Sequence, residues 1–139
     1  MKQAQGSLTF ESTGQGLSEV TQEIVHWVGK QGIGTGMLTV YIRHTSASLL
    51  IQENADPDVV SDLESFFKQL VPEDPNLYRH QTEGPDDMPA HIKGALTQTS
   101  LSIPVSGGRM ALGTWQGIYL FEHRHAPYKR ELVLHLTGE

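Results

Sequence analysis

Apolar residues Leu17, Val20, Ile24, Trp27 and Val28 recur at the spacing of one helical face. Ser18 is the expected N-cap, Glu19 suits the first turn, and Gly29 or Gly32 is placed to end the helix. The period then shortens to two. Leu38, Val40 and Ile42 alternate with Thr39 and Tyr41, which predicts a strand over residues 37–43 with those three on one face. His44 extends that inward row to the strand's end, and residues 48–52 continue as strand after a break at Thr45 and Ser46. The glycine-rich residues 29–36 read as a helix-to-strand connection, because the Gly-Lys-Ser/Thr ending of a phosphate cradle is missing.

Asp56 and Pro57 set up a second helix: an acidic cap followed by proline at the first helical position. Val59, Leu63, Phe66, Phe67 and Leu70 supply its apolar face, and residues 72–75 stop it. Residues 76–90 are rich in Gly, Pro, Asp and Glu and read as a loop of the kind that carries function on a rigid scaffold. Pro89 opens a short helical turn that brings His91 near its positive end. The last third is strand-like. Residues 101–105 and 109–112 flank Ser106-Gly107-Gly108 as a hairpin, and residues 116–122 and 131–137 are further strands, with Ile118, Leu120 and Glu122 on one face. Two helices among six or seven strands argue for an α+β fold, an antiparallel sheet or sandwich with two flanking helices.

Length limits the options. The chain has 139 residues, the size of one domain spanning 1–139, and too few for a (β/α)-barrel of about 250 residues. Ten basic residues against sixteen acidic ones leave a net charge of -6, with no basic stripe, so neither nucleic acid nor an anionic membrane is an expected partner. No window has the length of a signal peptide or membrane span, and a cytoplasmic location is expected. Cysteine is absent, which excludes thiolate metal sites.

Imidazoles are the conspicuous chemistry. Of the seven histidines, His26 reads as structural, His135 as a surface residue and His125 as unassigned. His44 ends a core-facing row, where partial burial favours the neutral, ligand-competent form; a backbone-bonded histidine at the core edge is the alternative. His80 and His91 bracket Glu83, Asp86 and Asp87, a mixture suited to a divalent cation, although no HExxH signature is present. Trp115 and Gln116 between glycines offer either a stacking wall for a ligand or a bulge with the indole in the core. Asp56 is explained by capping, while Glu53 and Asn54 stay open. No nucleophile elbow is present.

His44-Thr45-Ser46-Ala47-Ser48, Glu53-Asn54-Ala55-Asp56-Pro57, residues 86–93 and residues 113–120 resemble the signature blocks of the YjbQ-like family, in order and across nearly the whole chain. The resemblance implies a homotrimer of sandwich-like α+β subunits, with a polar pocket near a subunit interface. The family's label, secondary thiamine-phosphate synthase, implies joining a pyrimidine diphosphate to a thiazole phosphate with loss of pyrophosphate. Carried over by motif, the pocket holds His44, Glu53, His80, Asp86, His91, Trp115, Gln116 and Glu122. His44, His80 and His91 are then expected metal ligands, and Glu53, His91 and Glu122 catalytic groups. Asp86, Lys93, Trp115 and Gln116 are expected to bind substrate. His123 follows Glu122 where many members differ, so no role is carried over to it.

Releasing pyrophosphate requires neutralising several negative charges, and an acidic chain with only Arg43, Lys93 and Arg124 near these motifs needs a divalent ion, zinc or magnesium. The expected partner is a small phosphorylated ligand. Three readings remain open on the sequence: a metal-assisted enzyme, for which thiamine-phosphate synthesis is the named candidate and could be a side activity; a trimeric metal- or ligand-binding module without turnover; and a structural trimer whose histidines serve the interface.

Overall fold

The computed structural model describes all 139 residues. Its elements, in chain order, are β1 (Lys2–Glu11), β2 (Gly16–Glu19), α1 (Thr21–Gly29), β3 (Gly36–Ile42), β4 (Ala47–Glu53), α2 (Pro57–Leu70), α3 (Asp87–Leu96), β5 (Ser100–Ser106), β6 (Arg109–Met110), β7 (Gln116–Glu122) and β8 (Lys129–Gly138). A single 3₁₀ turn, Pro75–Leu77, interrupts the loop before α3. The strands form two antiparallel sheets, β1-β8-β3-β5-β6 and β2-β7-β4.

Alternation explains how these sheets meet. Leu38, Val40 and Ile42 of β3, Leu101, Ile103 and Val105 of β5, and Leu132, Leu134 and Leu136 of β8 all turn toward one buried cluster. Leu49 of β4 with Ile118 and Leu120 of β7 face it from the other sheet, and Ile24 and Val28 of α1 join the same cluster. The smaller sheet is covered on its other side as well: Phe121 meets Phe67 of α2 edge-on at 5.3 Å between ring centroids. Both faces of β7 are therefore buried from Gly117 to Glu122.

Several expectations need correcting. Leu17 and Ser18 belong to β2, where they pair with Phe121 and Leu120, so Ser18 is no helix cap and Val20 occupies that position without a side-chain bond. The Val20 amide instead donates to the Ile118 carbonyl at 2.8 Å, continuing the pairing of β2 with β7 up to the helix start. Residues 87–96 form a third helix, so the flanking helices number three and not two. Strand β1 escaped the hydrophobic pattern because its inward positions are Ala4, Gly6, Leu8 and Phe10, two of them nearly featureless. Gly6 is required by packing: a Cβ there would lie 2.7 Å from Trp27 Nε1. The α2 cap, by contrast, is as expected, with Asp56 accepting from the Asp58 amide at 2.9 Å. The 106–108 hairpin also forms, with Gly107 and Gly108 at φ of 60° and 76° as a tight primed turn requires.

Leu134 lies at the centre of β8, fully buried between β1 and β3. Leu134→Ala should cost about 2–5 kcal/mol, whereas His135→Ala, on the opposite face, should stay within about 0.5 kcal/mol. Urea unfolding of the two variants checks the assignment of the core face.

Candidate metal centre

Helix α3 begins with two adjacent carboxylates, Asp86 and Asp87, and carries His91 one turn later. A spacing of four residues puts Asp87 and His91 on the same face. The preceding loop delivers His80 to that face. His80 Nε2 lies 2.6 Å from Asp87 Oδ2, and His91 Nε2 lies 3.3 Å from the same oxygen. One ligand atom from each of His80, Asp87 and His91 falls within 4.8 Å of the others. The two imidazole rings stand edge to face at 5.5 Å.

A guanidinium holds this group in place. Arg124, just beyond β7, donates from Nη1 to Asp87 Oδ1 at 2.9 Å, from Nε to Asp86 Oδ2 at 3.0 Å and from Nη2 to the Glu83 carbonyl at 2.8 Å. Asp87 Oδ1 is thus occupied and Oδ2 is turned to the imidazoles. Burial would raise the Asp87 pKa, but the hydrogen bond from His80 and the charges of His91 and Arg124 outweigh it and hold the carboxyl below its usual range. Asp86 is also held low: burial opposes this, and the bonds from Arg124 and the His125 amide overcome it.

The His91 tautomer carries the chemical argument. Its Nδ1 lies 3.2 Å from the Thr45 carbonyl, which can only accept, so Nδ1 bears a proton. In the neutral ring Nε2 then presents a lone pair to a carboxylate oxygen. Two acceptors facing each other at 3.3 Å call for a cation between or beside them, either a second proton or a metal ion. A ring nitrogen fixed by a backbone carbonyl, with its partner nitrogen free, is the usual outer-shell arrangement of metal-binding histidine. Gly94 makes the arrangement possible, because a Cβ there would lie 3.0 Å from the Thr45 carbonyl oxygen and push α3 away.

His44 is placed differently. Its Nε2 accepts the Glu131 amide at 2.8 Å, so it lies outside the three-ligand group. It lines, with His91, an open cavity of about 700 Å³ that also includes Arg43, Ser46, Gly94 and Arg130. Burial, ahead of the Arg130 charge, holds its pKa below the ordinary histidine value.

Glu122 is buried and saturated with donors. It accepts from Arg130 Nε at 2.7 Å, from Arg130 Nη2, from Ser12 Oγ at 2.6 Å and from the amides of His123 and Arg124. The carboxylate ties β1, β7 and β8 together and has no free edge for a substrate. Tyr128 lies under both guanidinium groups, 5.4 Å from Arg124 and 4.8 Å from Arg130, which connects this anchor to the His80, Asp87 and His91 group.

Glu53, Trp115 and Gln116 lie elsewhere. In the β4–β7 register Glu53 pairs with Gln116 while Ala47 pairs with Glu122, so the two ends are separated by the length of the strand, about 20 Å. Within one chain these three do not meet the histidines. Glu53 Oε2 accepts the Asp56 amide, Gln116 Oε1 accepts the Gly113 amide, and Trp115 is exposed. Lys93 is buried on the face of α3 opposite the cavity, against Phe67, Phe121 and Glu122, and its pKa is lowered by burial. Asp86 braces Arg124, while the neighbouring Asp87 is the carboxylate that meets both imidazoles. The signal for Asp87 was its spacing of four from His91.

His123, also without an assigned role, is buried with Nε2 2.9 Å from Ser48 Oγ, and its Nδ1 is the one buried side-chain polar atom without a partner. Burial first, then the Lys93 and Arg130 charges, lower its pKa to about 3.

Comparison with known proteins places this chain in a wider group. Residues 6–139 match the family described as UPF0047 protein YjbQ-like. A UPF0047 protein of Synechocystis sp. is 55% identical over 99% of this chain and 94% of its own length. The UPF0047 protein YjbQ of Escherichia coli O157:H7 is 44% identical over 97% of this chain and 98% of its own. Among solved structures, a YbjQ-like protein of unknown function from Sulfolobus solfataricus superposes with a TM-score of 0.86 at 19% identity, covering 99% of this chain and 100% of that one, and so shares the fold. A hypothetical protein from Aeropyrum pernix, 30% identical, gives 0.83 with both chains fully covered.

The buried His123 generates a pH prediction. Folded protein keeps this ring neutral down to about pH 3, whereas the unfolded chain protonates it near 6.5. The unfolded state therefore binds more protons in that window, and stability falls as pH drops through it, by up to about 1.4 kcal/mol per pH unit. Urea unfolding at pH 7 and pH 5 should show this loss, and His123→Asn should flatten the slope by about one proton.

Proposed function

The chain belongs to the UPF0047 YjbQ-like family, and we propose that it is a metal-assisted enzyme acting on a small phosphorylated substrate. The observation that carries this reading is the His80, Asp87 and His91 group, with its outer partners Arg124 and the Thr45 carbonyl, whose His91 also lines the cavity of about 700 Å³. Two imidazoles and one carboxylate with room for further ligands is the composition of a reactive centre rather than a closed structural one. The same set favours zinc or another borderline divalent ion over magnesium, which prefers oxygen ligands. A bound ion would supply Lewis-acid stabilisation of negative charge on phosphoryl oxygen.

Thiamine-phosphate formation is the specific candidate. In it the thiazole nitrogen's lone pair forms a C–N bond to the pyrimidine methylene carbon, and the C–O bond to pyrophosphate breaks. The leaving group departs with that electron pair. No strong base is needed, in keeping with the absence of an activated nucleophile, and the charge left on pyrophosphate is what the cation must stabilise. Arg43 and Arg130 line the cavity but are paired with Glu131 and Glu122, so the metal-binding group is the free electrostatic resource beside it. The proposal includes a homotrimer. Exposed Tyr41, Phe66 and Leu70 supply apolar surface for subunit contacts, and assembly would offer a route for Trp115 and Gln116 to approach another subunit's cavity. No helix is long and apolar enough to cross a membrane.

Calorimetric titration of metal-free protein with zinc should give one site per chain. His80→Ala, His91→Ala and Asp87→Asn should each weaken it by about a hundredfold or more, beyond the 10–100-fold expected for losing an outer partner such as Arg124. Zinc-loaded protein supplied with the pyrimidine diphosphate and thiazole phosphate should release pyrophosphate, and the ligand variants should not. Tight zinc binding with no turnover would instead identify a binding module. Unchanged product formation by His91→Ala would remove the metal from the reaction.

A further inference from the structure

The two imidazoles that line the cavity, His44 and His91, carry the same tautomer, fixed by opposite kinds of backbone partner. Thr45 supplies a backbone acceptor to His91 Nδ1, which leaves His91 Nε2 as the lone-pair nitrogen. Its neighbour His44 receives a backbone donor instead. The Glu131 amide points at His44 Nε2 across 2.8 Å, so that nitrogen carries the lone pair and Nδ1 carries the hydrogen. This amide follows the last β3–β8 rung, Ile42 with Leu132, so the imidazole replaces a backbone acceptor where the ladder ends. The ring's orientation is thereby fixed by the sheet itself.

Where Nδ1–H goes decides the role. No group of the chain accepts from it, yet the one fully buried unpartnered side-chain atom is His123 Nδ1, so His44 Nδ1 reaches solvent. The ring lines the cavity shared with His91. We infer that His44 is a hydrogen-bond donor to the substrate, a neutral imidazole presenting Nδ1–H to a phosphoryl oxygen held in this cavity. It is then neither a metal ligand through Nε2 nor a general base, since its only lone pair is already engaged. This inference rests on the cavity being the substrate site and adds to that reading the group that contacts the phosphoryl oxygen.

Two features support a neutral donor. Burial and the Arg130 charge both disfavour a second proton on the ring. A neutral imidazole donor costs no reorganisation as negative charge builds on the oxygen it faces, and neutral imidazoles act this way on substrate oxygens elsewhere. Both guanidinium groups of the cavity wall, Arg130 and Arg43, already pair with carboxylates, Glu122 and Glu131.

Long-range proton–nitrogen correlation spectra of histidine-labelled protein test this, recorded metal-free, zinc-loaded, and with inorganic pyrophosphate added to each. The expected result is a His44 ring protonated on Nδ1 alone near neutral pH in every state. Zinc should move the His80 and His91 nitrogens and leave His44 Nε2 unchanged, and pyrophosphate should then shift His44 Nδ1. His44→Ala should weaken pyrophosphate binding about tenfold, or ~1.4 kcal/mol. A His44 protonated on Nε2, a zinc-coordinated His44 nitrogen, or a His44 signal unmoved by saturating pyrophosphate with and without zinc each overturns the proposal. The wild-type spectra decide even if the variant fails to fold. Zinc leaving His80 and His91 unmoved, while His44 still answers to pyrophosphate, would refute the metal reading and leave the donor standing.

Discussion

Arg124 fastens the start of α3 to the chain leaving β7, and the geometry of the candidate centre follows from that attachment. Its planar fork meets Asp86 with one edge and Asp87 with another, while a third N–H reaches the Glu83 carbonyl in the loop that brings in His80. Two adjacent carboxylates at a helix N-terminus are favoured by the helix dipole but repel each other. The guanidinium offsets that repulsion and aligns the carboxylates. Asp87 is left with one oxygen bound to arginine and one turned to two imidazoles, the arrangement an open metal site needs.

A second, deeper ion pair does related work for the scaffold. Glu122 and Arg130 are both nearly inaccessible, and the carboxylate's remaining capacity is filled by Ser12 and two backbone amides. Removing one partner of such a pair leaves an uncompensated buried charge, at a cost of about 3–5 kcal/mol. Arg130 also donates to the Ser46 carbonyl and hydroxyl, and so steadies the 44–46 segment whose neighbours set the tautomers of His44 and His91. Through Tyr128, which meets both the Arg130 and Arg124 guanidinium groups, the buried pair is connected to the His80, Asp87 and His91 cluster.

Much of the scaffold was legible because period-two alternation in β3, β5 and β8 survives burial on one face, and because Asp56-Pro57 and Gly107-Gly108 are local signals with local causes. Strand β1 was not legible, since its inward row is thinned by Gly6 to admit Trp27, a long-range demand invisible to a local window. The site was half legible. His80 and His91 could be picked out by composition, which left Glu83, Asp86 and Asp87 together as candidate carboxylates. The choice between Asp86 and Asp87 depended on which way Arg124 reaches, and the placement of Glu53, Trp115 and Gln116 at the far end of β7 depended on strand register. Glu122 was correctly seen to end an inward row, but its partner Arg130 arrives from β8, beyond anything periodicity can reveal.

The claim on which the account turns is that His80, Asp87 and His91 hold one divalent ion. Diffraction data from zinc-grown crystals, collected above and below the zinc absorption edge, address it directly. The account predicts one strong anomalous peak per chain, about 2.0–2.2 Å from a ring nitrogen of each histidine and from Asp87 Oδ2. A map with no peak there at saturating zinc, or with the ion bound only at other residues, would contradict it.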